Sequence, residues 1–249
     1  MVNWDGIVRG KKTIRLGDET IDCCGARHIR EWIQPSAYAV DMLIKDCIPK
    51  AKEFQSRYSS YNFSFEHHLI YSIWGWVNRN ISYKLDEMSK YPDYWNDVWE
   101  TYFDRWGDCE DASILCASAV HRLYYGRDSP VSLAIGFVWI SGIPFGHAWC
   151  YYDCKEFNRR VVLECTADDY IEPNTYIVGV QYHPTVIVDS SSSTQVCDCD
   201  MCKTMINYLS TGTNKGAWAS KILRPNIKLE AFEKKPSLFS KLFGSVRRI

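Results

Sequence analysis

The run Arg105-Trp106-Gly107-Asp108-Cys109-Glu110-Asp111 holds the residue types from which a cysteine nucleophile can be built. Glycine permits a tight entry into a helix. Asp108 is a good N-cap, with Asp111 three residues on. Cys109 is then predicted in the first turn, where unpaired amide N–H groups and the helix dipole favour a thiolate. The same amides can hold the oxyanion formed when a thiolate attacks a carbonyl. Asp108, Glu110 and Asp111 oppose a thiolate unless they are turned away or paired, with Arg105 as one available partner. The main opposing charge has to come from an imidazolium. In Gly146-His147-Ala148-Trp149, His147 is expected to open a strand straight after a glycine, where it can reach the thiol and serve as its acid–base partner.

A cysteine–histidine pair needs an acid to hold the ring. If the strands containing His147 and Arg160 form a hairpin closed by the four residues 154–157, Asp153 pairs with Asn158 and Glu164 falls directly opposite His147. Asp168 is the alternative acid, in a different register.

Three segments together, Gly-Asp-Cys-Glu-Asp at 107–111, Gly-His-Ala-Trp at 146–149 and Leu-Glu-Cys-Thr at 163–166, resemble the transglutaminase-like superfamily, and most of all the bacterial-type transglutaminase-like cysteine peptidases. Ile81-Ser82-Tyr83-Lys84-Leu85-Asp86 and Tyr94-Trp95 fit the same pattern. The resemblance covers roughly residues 66–170, and the combined spacing is more specific than any one motif. It implies a papain-like α+β core, a Cys-His-acid triad, and amide hydrolysis or acyl transfer. The family's third motif usually reads Asp-Pro-Thr, where this chain has Glu164-Cys165-Thr166. Such enzymes often complete the oxyanion hole with a side chain upstream of the cysteine, and Trp95 is the candidate here.

The elements that would position these residues can be read from periodicity. Residues 36–54 and 66–77 carry apolar side chains at helical spacing, with Pro49 expected to kink or divide the first helix. Ala112, Leu115, Cys116, Ala119 and Leu123 form the apolar stripe of the helix that begins at Cys109. Residues 131–139 alternate strictly, the period of a strand; Gly142, Pro144 and Gly146 should end it before a new strand at 147–153. Further strands are expected at 160–166 and within 176–188. Residues 1–34 read as irregular or short-stranded, and Ser190 to Thr194 as a linker. The expected layout is α+β, the nucleophile helix packed on an antiparallel sheet. It divides into an extension and helix (1–60), a catalytic core (61–188), and a linker, cysteine cluster and basic tail (189–249).

Composition narrows the setting. The 249 residues are 46% apolar and 24% charged, ordinary globular values, and the net charge of -1 recruits neither nucleic acid nor an anionic membrane. Ten Trp and 16 Tyr suit a groove for an extended ligand. No apolar run is long enough to span a membrane, and the first twelve residues lack the apolar region of a secretory signal. A cytoplasmic chain with reduced thiols is therefore expected, non-classical release remaining open. Of the 11 cysteines, Cys197, Cys199 and Cys202 form a cluster that could bind structural zinc with Cys23 or Cys24 as a fourth ligand; the other reading is unliganded or redox-active thiols. His28, His67, His68 and His183 read as surface or packing residues. The tail, with Phe239, Leu242 and Phe243 among Lys234, Lys235, Lys241, Arg247 and Arg248, is either a docking helix or a frayed end.

The functional expectation is a cysteine peptidase or amidase acting on a peptide or protein through a thioester, with no cofactor required for catalysis. The alternatives are a crosslinking transglutaminase, which shares every catalytic residue, and an inactive binding or assembly module. Hydrolysis is favoured because nothing in the chain identifies an amine-binding pocket.

Overall fold

Strict alternation from Val131 produces the central strand of the molecule, and the helices are stacked against it. The computed structural model describes residues 2–3, 7–16, 19–84, 95–125, 127–140, 142–166, 180–189 and 192–211; before His28 it describes the backbone alone. In chain order the elements are β1 (Val2–Asn3), β2 (Ile7–Leu16), β3 (Glu19–His28), α1 (Tyr38–Arg57), α2 (Phe65–Asn80), β4 (Ser82–Tyr83), α3 (Val98–Asp104), β5 (Trp106–Gly107) and α4 (Cys109–Leu123). They continue with β6 (Val131–Ile140), β7 (Ile143–Cys154), β8 (Arg159–Leu163), β9 (Val180–Val188), β10 (Ser193–Gln195) and α5 (Asp200–Thr211). Among the described residues one six-stranded sheet runs β1-β10-β9-β6-β7-β8, every described pairing antiparallel, while β2 and β3 form a separate hairpin. The architecture is α+β, helices on an antiparallel sheet, as the sequence pattern implies.

α4 is the hub. The pattern predicts a one-sided stripe, but every residue from Glu110 to His121 is buried, because α1, α2 and α3 pack around it and β6 and β7 lie against it. Ser113, Ser118 and His121, thus enclosed, find internal partners. Ser113 Oγ donates to the Ala148 carbonyl at 3.1 Å, Ser118 Oγ accepts from the Gln34 N–H at 2.9 Å, and His121 Nε2 meets the Val131 carbonyl at 2.8 Å. Each such bond is worth about 1 kcal/mol net, but leaving its group unpaired in the core would cost more. The Ser113 bond also joins the nucleophile helix to the strand that carries His147.

α1 runs through Pro49 without being divided there. Pro49 and Lys45, the residue whose carbonyl loses its partner, both lie on the exposed side, while Val40, Leu43, Cys47 and Ala51 bury the other face. β7 also begins earlier than its glycines and proline suggest, so His147 is its fifth residue rather than its first. Pro144 pairs with Trp139 of β6, on a stretch of β7 that β8 does not reach; an edge of this kind tolerates proline. The serine-rich run is not a linker: Asp189 accepts from Ser192 N–H at 2.7 Å and closes a hairpin, after which residues 193–195 rejoin the sheet as β10. The expected short N-terminal strands are instead a ten-residue pair, β2 and β3. The basic tail lies outside the described residues. No helix among the described residues is long and apolar enough to cross a membrane.

β9 carries a bulge beside β6: Ile135 pairs with Val186 but Gly136 pairs with Pro184, leaving Thr185 as the extra residue. Gly136 is required there, since a Cβ would run into the His183 carbonyl oxygen and stand 2.8 Å from Pro184 Cα. Gly136→Ala is therefore expected to destabilise the protein by about 1–3 kcal/mol, the usual cost of overpacking, read as a lowered urea midpoint. An unchanged midpoint would show that β9 yields freely at this point.

Candidate active site

Gly107 sets the geometry at the head of α4. A Cβ at that position would lie 2.6 Å from Asp111 Cβ, so only glycine lets Asp111 fold back over the turn. Asp111 is buried and anchors what precedes the helix. Its Oδ1 accepts from Asn96 N–H at 2.7 Å, and its Oδ2 accepts from Asn96 Nδ2 at 2.6 Å and from Asp108 N–H at 3.3 Å. Asp108 in turn accepts from the backbone of Asp111, completing a reciprocal cap. Two of the three acids beside Cys109 are thus committed to structure. The third, Glu110, stays close: the Cys109 thiol donates to its Oε2 at 3.2 Å. Arg105, with φ 59, places its guanidinium over the rings of Trp76 and Tyr102, at 4.2 and 4.4 Å from their centroids.

Cys109, half-buried at the first residue of α4, meets His147 from β7 and Glu164 from just past β8. His147 Nε2 lies 2.8 Å from Glu164 Oε2. Cys109 stands close enough to the imidazole to help raise its pKa, and Nδ1 is the ring nitrogen not turned to Glu164. The register differs from the one inferred by spacing. Cys154 pairs with Arg159 and the turn is residues 155–158, so Glu164 extends the β8 ladder opposite Trp149 and reaches His147 diagonally. Asn158 causes the difference: at φ 47 it takes the left-handed position that ends the turn. The register error is two residues, an even number, so it leaves both side chains on one face.

Glu164 is held at every oxygen. Oε2 accepts from His147 and from Tyr182 Oη at 2.9 Å; Oε1 accepts from Thr166 N–H at 3.1 Å and Thr166 Oγ1 at 2.9 Å. Its backbone carbonyl accepts from Trp74 Nε1 at 2.6 Å and Asn78 Nδ2 at 3.3 Å, both on α2. Burial alone would raise the Glu164 carboxyl, but the His147 charge and the hydrogen bonds from His147 and Thr166 outweigh it and hold it at about 2. Burial likewise pulls His147 down, and Glu164, with Cys109, lifts it well above its ordinary 6.5. Trp149 stacks on the imidazole with ring centroids 6.0 Å apart.

Spacing did not reveal Tyr182, Thr166 or Tyr83 as parts of this site. Thr166 had a signal, standing two residues after Glu164 in the third motif. Tyr182 had none, because only the β6–β9 pairing brings it here. Tyr83, on β4, pairs in parallel with Gly107 and is half exposed. Burial of its hydroxyl, then the charges of Cys109, Asp108, Glu110 and Glu164, push its pKa up, which puts that hydroxyl in the field of the nucleophile. Trp95 is 2% exposed and packs edge-on against Trp32 at 5.7 Å. Asp168 lies outside the described residues.

A Cys/His cluster able to hold a metal lies on β9 and the segment entering α5. Cys197, Cys199 and Cys202 are joined there by His183, whose Nε2 is 3.2 Å from Cys197 Sγ. This corrects the reading of His183 as a surface or packing residue; the pairing through β9 is invisible to local sequence. The side chains of Cys23 and Cys24 lie outside the described ones. All nine described cysteine side chains are free thiols.

No protein-family model matches the chain, and a search of curated proteins finds no match. Comparison with solved structures finds similar chains, among them one protein in more than one state. Legionella pneumophila LapG, EGTA-treated, aligns with a TM-score of 0.36 at 12% identity, covering 64% of this chain and 97% of its own. The calcium-bound form gives 0.32 at 13% identity, covering 64% and 98%. Likeness at these TM-scores says nothing about activity, metal or residue roles.

The His147–Glu164 pair makes stability depend on pH with a definite sign. The raised His147 pKa contributes stability in full below 6.5, lost as pH rises through its folded value; the lowered Glu164 pKa contributes above 4.5, lost as pH falls towards about 2. The difference in unfolding free energy between the native chain and Glu164→Gln should therefore be greatest between about pH 4.5 and 6.5 and shrink on both sides, measured by urea unfolding across pH. A difference independent of pH would mean that the pair is not ionised.

Proposed function

We propose that this chain is a transglutaminase-like cysteine hydrolase that cleaves a peptide or isopeptide amide of a protein substrate through a thioester. The observation that carries the reading is the hydrogen-bonded His147–Glu164 pair at the N-terminus of the helix that begins with Cys109. The thiol proton passes to His147, and the sulfur adds to the substrate carbonyl as its π electrons move to oxygen. When the tetrahedral adduct collapses, the C–N bond breaks and His147 gives its proton to the departing amine. Water then attacks the thioester carbonyl, returning a proton to His147. The C–S bond breaks, an acid leaves, and the proton goes back to sulfur. Glu164 stays ionised throughout, holding the ring with Nε2 towards itself and stabilising the imidazolium. No cofactor enters these steps.

The oxyanion needs donors aimed at a point beside the sulfur. The Cys109 backbone N–H is one. Tyr83, on the strand that pairs with Gly107 beside the nucleophile, is our choice for the second in place of Trp95, which packs against Trp32. Hydrolysis is preferred to transfer for want of any identified amine site.

Cys109→Ala should abolish both turnover of a peptide library and labelling by a thiol-directed electrophile at that residue. Tyr83→Phe should lower kcat by about a hundredfold with little change in KM. Incorporation of an added primary amine into the product in preference to water would identify a transglutaminase, and absence of both turnover and labelling at Cys109 in the native chain would identify an inactive module.

A further inference from the structure

The cluster on the far side of β9 has the makings of a closed metal site. The donor atoms of His183, Cys197, Cys199 and Cys202 all lie within 4.8 Å of one another. Around zinc, with Zn–S bonds of about 2.3 Å, tetrahedral ligand atoms stand about 3.8 Å apart, so a small contraction would close this set. Its chemistry, three thiols and one imidazole, is a standard structural zinc combination. The ligands are also supported. Cys199 is the residue before α5, its carbonyl accepting from Lys203 N–H at 2.9 Å. Cys199 thus stands at the end of α5 where the helix dipole favours negative charge. Thr185, the extra residue of the β9 bulge, donates its hydroxyl to Cys202 Sγ at 3.0 Å, and Gln195 Nε2 donates to the Cys197 carbonyl at 2.9 Å. Partners of this kind orient metal ligands and steady their charge.

The other two groups of this type, Cys116–Cys150–Cys165 and His67–Cys154–Glu156, each bring three donors rather than four.

We infer that His183, Cys197, Cys199 and Cys202 bind one structural zinc ion that clasps the entry of α5 to the bulge of β9. Four protein ligands leave no open position, so the ion takes no part in bond making; on binding it displaces the three thiol protons. The site has a second consequence, which rests on the hydrolase reading above. His183 adjoins Tyr182, whose hydroxyl is 2.9 Å from Glu164 Oε2, so a clasp on one residue fixes the backbone that presents the other.

The test uses the full chain, purified under reducing conditions with and without added zinc and analysed by elemental mass spectrometry. One zinc per chain is expected, falling to none in Cys199→Ser combined with Cys202→Ser, and replacement by Co(II) should give the visible absorption of a tetrahedral thiolate site. His183→Ala should lose most of the metal, while His183→Cys, which supplies a fourth thiolate, should retain it; this pair separates lost ligation from failure to fold. Removing zinc by chelation should speed amide exchange in β9 and α5 and leave α1 and α2 unchanged. A native chain that takes up no zinc, a disulfide among these cysteines in freshly reduced and desalted protein, full metal in His183→Ala, or exchange unaltered in β9 would each overturn the inference. None of these readings depends on activity at Cys109, so the metal site and the hydrolase reading can fail separately.

Discussion

A carboxylate taken out of water must find compensation or give up its charge, and Glu164 is compensated at each of its oxygens. His147 and Tyr182 meet one side-chain oxygen, both donors of Thr166 meet the other, and Trp74 and Asn78 hold the backbone carbonyl. These partners come from β7, β9, the segment after β8, and α2. One buried anion therefore fixes the relative placement of the sheet and the helical layer. It also fixes which nitrogen of His147 turns towards the carboxylate, and hence which one faces the sulfur.

The helix that carries Cys109 is constrained just as closely from the other side. α4 is enclosed over most of its length, so its serines and histidine each need an internal partner, and those partners tie it to β7, to Val131 at the start of β6, and to the segment before α1. Asp111 locks the head of the helix to Asn96 and leaves Gly107 no room for a side chain. The acids flanking the cysteine therefore have unequal duties. Asp108 and Asp111 build the turn, and Glu110 alone contacts the resting thiol. An acidic cluster next to a nucleophile looks electrostatically perverse until two of its members are seen to be structural.

β9 joins the two chemically loaded regions of the molecule. Strand alternation lets consecutive residues serve different centres: Tyr182 reaches Glu164 while His183 reaches the cysteine cluster, where Thr185, the extra residue of the bulge, joins it.

Much of this was legible in sequence. Helical spacing located α1, α2 and α4, alternation located β6, and the types and order of residues 107–111, 146–149 and 163–166 singled out Cys109, His147 and Glu164, because capping, periodicity and nucleophile chemistry are local properties. The rest required tertiary structure. Turn length at Asn158 decided the hairpin register, and the error stayed harmless only because it was even. Pro144 was misread because its cost depends on which side of a strand faces a neighbour, and that is not written locally. Tyr182 and His183 acquired partners through a strand pairing between segments some 45 residues apart, a contact whose stabilisation exists only once the sheet has closed. Sequence by itself determined which side chains could do chemistry; the packing of β9 and α2 around Glu164 decided how they are held.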